Sequence, residues 1–333
     1  MSARARGFGL GLAVLGTGQA ARTHGRNLAR WFPGVRRWTA SRAEARARAL
    51  AASTGAAGHF GSYDDALADE RVDAVLITTP PASHLSLTLD ALRAGKHVIV
   101  EKPAFPRSTD FDLVEEAQRR FGHRVLVAEN YFYKPALRRL RTLVASGSLG
   151  HVRFVQINAV KRQTAAGWRG DPAQAGGGAL FEGGVHWVDF LANLGMDLVR
   201  VRAHVPGSLP GFERSAVLVG DYAQGAVGVL SYSWEIPGTL GGLRLSRIWG
   251  TRASVLFETN GLFLVRTGRR PGLWIPDLRD VLGYREMFAD FLRSLTTGEP
   301  SRLTLCTARR DIELIEQAYA AVPSVPSVEE MTS

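Results

Sequence analysis

The chain of 333 residues and 36.2 kDa has 45% hydrophobic and 22% charged residues and a mean hydropathy of -0.04, which excludes wholesale disorder and leaves room for two domains of ordinary size. Cys306 is the only cysteine, so neither an internal disulfide nor a multi-cysteine metal cluster can form, and no run of about eighteen apolar residues offers a membrane span. Lysine and arginine number 41 against 31 acidic residues, a net charge of +10 that by itself fits nucleic acid, an anionic cofactor, a membrane surface or a merely arginine-rich composition.

Met1 to Arg6 carries two arginines ahead of the apolar run Gly9 to Leu15, which imitates an export signal. The run is short, contains glycines and leads straight into Gly16-Thr-Gly-Gln-Ala-Ala21, and Arg4 and Arg6 are not adjacent as a twin-arginine signal requires. It is read as a buried first strand, and the lone cysteine suits a cytoplasmic protein. Strands are expected at Leu10–Leu15, Arg37–Ala40, Ala74–Thr78, His97–Val100 and Val125–Ala128. Helices are expected at Ala20–Trp31, Arg42–Ser53, Ser83–Ala94 and Thr109–Arg120. This alternation implies right-handed crossovers and an α/β domain with a doubly wound parallel sheet. From Val152 to Val265, strand-like runs such as Val152–Ile157, Ala216–Val219, Val227–Leu230 and Ala253–Phe257 are separated by glycine turns, as in a mainly antiparallel sheet. One helix, at about Ala179 to Leu194, lies among them, and two more begin near Asp280 and Leu303.

Gly16-x-Gly18-x-x-Ala21 follows a predicted strand and opens a predicted helix, the setting of a dinucleotide fingerprint. Gly16 permits the tight turn, Gly18 leaves no Cβ in the way of a pyrophosphate, and Ala21 lets helix and strand pack closely. The N–H groups of the turn, from Gly16 and Thr17 through Gly18, Gln19 and Ala20, together with the helix dipole would hold the diphosphate. The second strand ends in Ser41-Arg42 where NAD binding favours an acidic residue, and Glu44 is the only acidic residue between Gly16 and Tyr63. Ser41 can donate a hydrogen bond to a 2′-phosphate and Arg42 can pair with it, so NADP(H) is expected in preference to NAD(H), with a turn-forming Ser41 and a solvated Arg42 as the alternative.

Glu101-Lys102-Pro103 falls at the carboxyl end of a strand, where open α/β sheets place their ligands. In isolation Lys102 reads equally as a solvated rim charge or as a functional ammonium. Far along the chain, Gly176-Gly-Gly-Ala-Leu-Phe-Glu182-Gly-Gly-Val-His186 sets a carboxylate and an imidazole four residues apart, on one face of a helix. Such a pair gives a proton-transfer group near neutral pH, or a structural contact with no chemistry. No third ligand stands at motif spacing, so no metal is expected.

Gly16-x-Gly18-x-x-Ala21-x-x-His24, Thr79-Pro-Pro-Ala-Ser-His84, Glu101-Lys-Pro103 and Gly177-Gly-Ala-Leu-Phe-Glu182-Gly-Gly-Val-His186 occur in an order and spacing that resemble the glucose–fructose oxidoreductase, inositol dehydrogenase and rhizopine catabolism (Gfo/Idh/MocA) family over nearly the whole chain. The resemblance implies a Rossmann domain at 1–129, with Thr79, Pro80, His84, Glu101 and Lys102 also at the cofactor. It implies an α+β domain with a large open, mainly antiparallel sheet at 130–322, serving substrate and oligomerisation, with 323–333 left as a frayed tail. The family's catalytic lysine falls on Lys102 and its histidine on His186. Its usual aspartate is replaced by Glu182, which keeps the charge but moves it by a methylene. Asn130, Tyr131, Trp168 and Arg169 fall in segments that resemble the family's substrate side. The activity implied is hydride transfer between nicotinamide C4 and a carbinol carbon of a sugar, cyclitol or related polyol, by a homodimer or homotetramer paired through the outer face of the second sheet. A nicotinamide-dependent glycosidase and a non-catalytic NADP(H) sensor are the alternatives. Nucleic acid is not expected, because the arginine clusters at Arg36-Arg37, Arg42 to Arg48, Arg138 to Arg141 and Arg269-Arg270 accompany no helix-turn-helix or zinc motif.

Overall fold

The computed structural model describes residues 9–164, 167–206, 213–238, 242–320 and 322; the arginine-bearing segment Met1 to Arg6 and the expected tail at 323–333 lie outside the described residues. Two compact units result. One comprises the described residues up to Tyr133 together with Gly283–Arg309, and the other Lys134–Leu282 together with the residues from Arg310 onward.

In the first unit the chain runs β1 (Gly11–Leu15), α1 (Gln19–Trp31), β2 (Arg36–Ala40), α2 (Glu44–Thr54), β3 (Gly58–Phe60), α3 (Tyr63–Ala68), β4 (Ala74–Ile77), α4 (His84–Arg93), β5 (His97–Glu101), α5 (Asp110–Phe121) and β6 (Val125–Ala128). The six strands form one parallel sheet in the order β3-β2-β1-β4-β5-β6. The order reverses between β1 and β4, the switch point where an open α/β sheet leaves a crevice at its carboxyl edge. Every residue of β1 and β4 is buried, because crossover helices cover both faces of a parallel sheet. Helix α1 buries Ala21, His24, Gly25 and Leu28, one stripe at helical spacing, and a Cβ on Gly25 would come within 2.9 Å of Thr54 in α2. β3 and α3 were not anticipated. β3 is only three half-buried residues at the sheet edge, and the six-residue α3 depends on a cap in which the Asp65 N–H donates to Ser62 Oγ at 3.0 Å.

The second unit begins with α6 (Pro135–Ala145), β7 (Val152–Val160) and the short α7 (Pro172–Ala175). A π-helical turn, Leu180–Gly184, runs directly into α8 (Val185–Ala192). There follow β8 (Leu198–His204), β9 (Ser215–Tyr222), β10 (Val227–Ser233), β11 (Leu245–Gly250), β12 (Ser254–Glu258), β13 (Leu264–Arg266) and β14 (Gly272–Trp274); the chain then returns to the first unit for α9 (Tyr284–Thr297), and α10 (Leu305–Ala320) starts there and belongs to the second unit from Arg310 onward. The eight strands are ordered β14-β13-β12-β11-β7-β10-β9-β8, antiparallel at every step except β7 with β10. The expected architecture, a doubly wound parallel sheet followed by a large, mainly antiparallel one, is therefore present. The inner face is covered by α8: Phe190 stacks on Phe257 at 6.0 Å, and the Tyr222 hydroxyl donates to the Leu191 carbonyl at 2.9 Å. The other face leaves Phe154, Val199 and Val217 exposed. No described helix is long and apolar enough to cross a membrane.

Candidate active site

In the first unit the switch point is built by glycine geometry. Gly16 has φ +110, a conformation that side chains disfavour, and a Cβ there would lie 2.8 Å from Thr78 Oγ1 at the end of β4. Gly18 is the N-cap of α1 and offers no side-chain cap, while a Cβ on it would meet nothing within 4 Å. The first N–H groups of α1 are thus left without a side-chain acceptor beside open space, which fits a diphosphate. Thr17 and Ala20 are half-buried and Gln19 is exposed. At the end of β2, Ser41 is buried and its Oγ accepts the Ala43 N–H at 3.2 Å, so the hydroxyl hydrogen stays available to a phosphate oxygen. Arg42 is exposed and acts electrostatically on Tyr63, while Glu44 is turned to His59 at 3.3 Å.

The carboxyl ends of β4 and β5 are tied together by His84, which is 1% exposed. Its Nε2 lies 2.8 Å from the Thr79 carbonyl, and its Nδ1 lies 3.0 and 3.1 Å from the carbonyls of Pro103 and Ala104. Burial holds the imidazolium below its ordinary pKa, against the pull of those carbonyls. Pro80 follows Thr79 in this turn, and the Ser83 hydroxyl donates to Thr79 Oγ1 at 2.7 Å. The Lys102–Pro103 peptide is cis. Glu101 is fixed at both oxygens: Oε1 pairs with His24 Nε2, and Oε2 accepts the Lys102 N–H at 3.0 Å. The His24 ring is buried edge-on against Tyr284 and Phe288 of α9, at 5.5 and 5.3 Å. Lys102 itself is half-buried. After β6 a 3-10 turn carries buried Asn130 and half-buried Tyr131, whose N–H donates to Glu129 Oε1 at 2.9 Å. Tyr284 carries no motif signal, yet burial with Glu101, Tyr131 and Glu129 around its hydroxyl raises its pKa.

In the second unit every residue of α8 is buried except His186. One turn earlier the helix is π rather than α, with bonds spanning five residues, a feature that recurs at functional sites. Glu182 in this turn is 3% exposed and accepts the Arg169 Nε–H at 3.0 Å, while the Arg169 guanidinium lies over the Trp168 ring at 4.5 Å. Glu182 and Arg169, assigned to proton relay and substrate contact from sequence, are therefore joined in one ion pair. Gly183 sits against the Tyr232 hydroxyl, leaving no room for a Cβ.

Residues 10–129 match the family described as "Oxidoreductase family, NAD-binding Rossmann fold", and residues 137–256 match "GFO/IDH/MocA C-terminal domain". Among curated relatives, a dTDP-3,4-didehydro-2,6-dideoxy-alpha-D-glucose 3-reductase of Streptomyces violaceoruber is 33% identical over 64% of this chain and 66% of its own length. Inositol 2-dehydrogenase 2 of Saccharopolyspora erythraea is 31% identical over 66% of this chain and 65% of its own. The chain thus spans less than two thirds of the length of these relatives. A solved structure of GenD2 from gentamicin A biosynthesis, in complex with NAD, is 27% identical, covers 94% of this chain and 93% of its own, and superposes with a TM-score of 0.81. With both of its domains matched in order, the chain belongs to the GFO/IDH/MocA family of oxidoreductases, whose first domain is an NAD-binding Rossmann fold.

Proposed function

We propose that this family member transfers a hydride between nicotinamide C4 and a carbinol carbon of a sugar, cyclitol or related polyol, with NADP(H) preferred to NAD(H). The observation that carries the reading is that His186 alone on α8 is only half-buried, an imidazole left partly accessible on a helix that buries everything else. When bound, the nicotinamide accepts or releases the hydride. The residues of the chain handle the proton and the charge on oxygen. In oxidation His186 takes the hydroxyl proton, while the Lys102 ammonium holds that oxygen and favours its developing negative charge; in reduction the roles reverse. Glu101, held by His24, fixes the backbone from which Lys102 projects. Glu182, four residues before His186 on the same helix, is assigned to orient the imidazole. Arg169, already paired with Glu182, keeps further N–H donors for substrate oxygens, alongside Trp168, Asn130 and Tyr131.

The preference for NADP(H) rests on Ser41, whose hydroxyl hydrogen is available, on exposed Arg42, and on Glu44 being engaged with His59. The sugar and cyclitol classes are motivated by relatives named for a dTDP-linked deoxyglucose and for inositol. The test is fluorescence titration with NADPH and NADH, followed by a panel of sugars, cyclitols and ketoses monitored by nicotinamide absorbance. Tighter NADPH binding and turnover of at least one compound are expected. Tight NADPH binding with no turnover across the panel would replace the enzyme by a cofactor sensor.

A further inference from the structure

The helix that carries Glu182 and His186 has an N-terminus capped from outside its own segment. The Ala179 N–H donates to the Glu213 main-chain carbonyl at 3.0 Å, and the Leu180 N–H donates to Glu213 Oε1 at 2.8 Å. The Phe181 N–H donates to the Tyr319 hydroxyl oxygen at 3.3 Å, and that hydroxyl in turn donates to Glu213 Oε1 at 2.7 Å. The next N–H, of Glu182, reaches the Gly178 carbonyl at 2.9 Å. Three successive N–H groups at the start of the π turn are therefore satisfied by one carboxylate residue and one phenol. A helix leaves its first N–H groups orphaned unless such acceptors are supplied, and a carboxylate at that end also faces the positive pole of the dipole.

The surrounding sequence makes space for this arrangement. A Cβ on Gly178 would overlap the Glu213 carboxylate, and one on Gly177 would press on Phe181, 2.6 Å from its Cβ and 2.7 Å from its ring. Tyr319 stands on α10, which is fastened to β8 where the Val201 N–H donates to Gln317 Oε1 at 2.7 Å. Burial pushes the Glu213 carboxyl above its ordinary pKa, while the Leu180 N–H and the Tyr319 hydroxyl draw it back, so the anion depends on these donors.

We infer that Glu213 and Tyr319 are positioning residues that clamp the start of the Glu182–His186 helix and set the direction in which His186 presents its ring. This rests on the proposed role of His186 in proton transfer. Neither residue touches the reacting atoms, so their effect belongs to orientation, where a displacement of about 1 Å can cost roughly a hundredfold in rate.

The test compares Glu213→Ala, Glu213→Gln and Tyr319→Phe with His186→Ala, measuring kcat, substrate KM, NADPH affinity and Tm. Glu213→Ala is expected to lower kcat by about ten- to a hundredfold with NADPH affinity unchanged. Glu213→Gln, which keeps an acceptor oxygen for Leu180 and Tyr319, is expected to restore most of the loss, and Tyr319→Phe to give an intermediate one. Wild-type kcat in Glu213→Ala and Tyr319→Phe while His186→Ala is inactive overturns the clamp alone. Full turnover in His186→Ala overturns the proton-transfer role on which the clamp depends. Should Glu213→Ala fail to fold, Tyr319→Phe and Glu213→Gln decide: parallel losses of kcat, Tm and NADPH affinity in both mark a purely structural contact and overturn the inference.

Discussion

Arg42 and Ser41 stand where β2 ends, and the proposed preference for NADP(H) over NAD(H) rests on them. A charge-assisted hydrogen bond contributes about 1.5–3 kcal/mol, so Arg42→Ala should weaken NADPH about ten- to a hundredfold and leave NADH within a factor of about three; equal loss for both in fluorescence titration would remove Arg42 from the 2′-phosphate. Lys102 makes a different prediction. Lys102→Met should lower kcat roughly a hundredfold or more while NADPH still binds, and unchanged turnover on a proven substrate would sink the assignment. His84 bears on stability instead. Its folded-state pKa lies below its ordinary 6.5, so on acidification the unfolded chain takes up the proton first. The stabilisation is complete above about pH 6.5, falls as the pH drops toward the folded value and levels off below it. His97 shifts in the same direction, chiefly by burial. Thermal melts of His84→Gln should therefore show a shallower decline in Tm between about pH 7.5 and 5.5 than the wild type, and an identical slope would show that His84 does not contribute.

At the scale of elements, the helix bearing Glu182 and His186 shows what local pattern can and cannot convey. The pairing of carboxylate and imidazole four residues apart was readable, because an apolar stripe from Leu180 to Leu191 marks a helix. Its π opening was not, because the choice between four- and five-residue bonds depends on what the glycines meet. Gly183 lies against the Tyr232 hydroxyl of β10, which accepts the Trp234 Nε1–H at 2.7 Å. Gly183→Ala should therefore overpack this contact, costing about 1–3 kcal/mol and lowering Tm by several degrees. A melt that matches the wild type would mean the turn has room to yield. The ion pair of Arg169 with Glu182 was equally hidden, since each residue had been given a separate task from its own motif.

For the whole molecule, the charge and the second sheet matter most. Several arginines of the sequence clusters make contacts within the fold. Arg36 lies over the Trp38 ring at 5.2 Å, the Arg37 Nη2–H donates to the Gly55 carbonyl at 3.0 Å, and Arg141 bonds the Asn193 carbonyl. These contacts occupy cations that composition alone offered to a polyanion. The outer face of the eight-stranded sheet sets Phe154 beside Val227 and Trp249, with Val229 and Val217 further along. Phe154 is 57% exposed, and we propose this cluster of apolar side chains as the surface through which copies of the chain pair. A homodimer or homotetramer paired through it should dissociate when Phe154 becomes Glu, with the fold intact because the side chain supports no core. Light scattering checks this; a wild-type protein that is monomeric at micromolar concentration would end the proposal.

Sequence by itself determined the alternation of strands and helices around the first sheet, the glycine turn after β1, the Glu101-Lys102-Pro103 segment at the end of β5 and the separate Glu182–His186 block. Each is a local pattern: side-chain period, backbone freedom at Gly16, and residue types suited to one chemistry. Tertiary structure alone decided what surrounds them. It joined His24 to Glu101, turned His84 into a tie between the ends of β4 and β5, and gathered Gly283–Arg309 into the first unit with Tyr284 against His24. It also brought Glu213 and Tyr319 to the start of the helix that presents His186. These partners lie far apart in the chain, and burial rather than local propensity selects them, since each buried polar group must find an acceptor or donor wherever the packing supplies one.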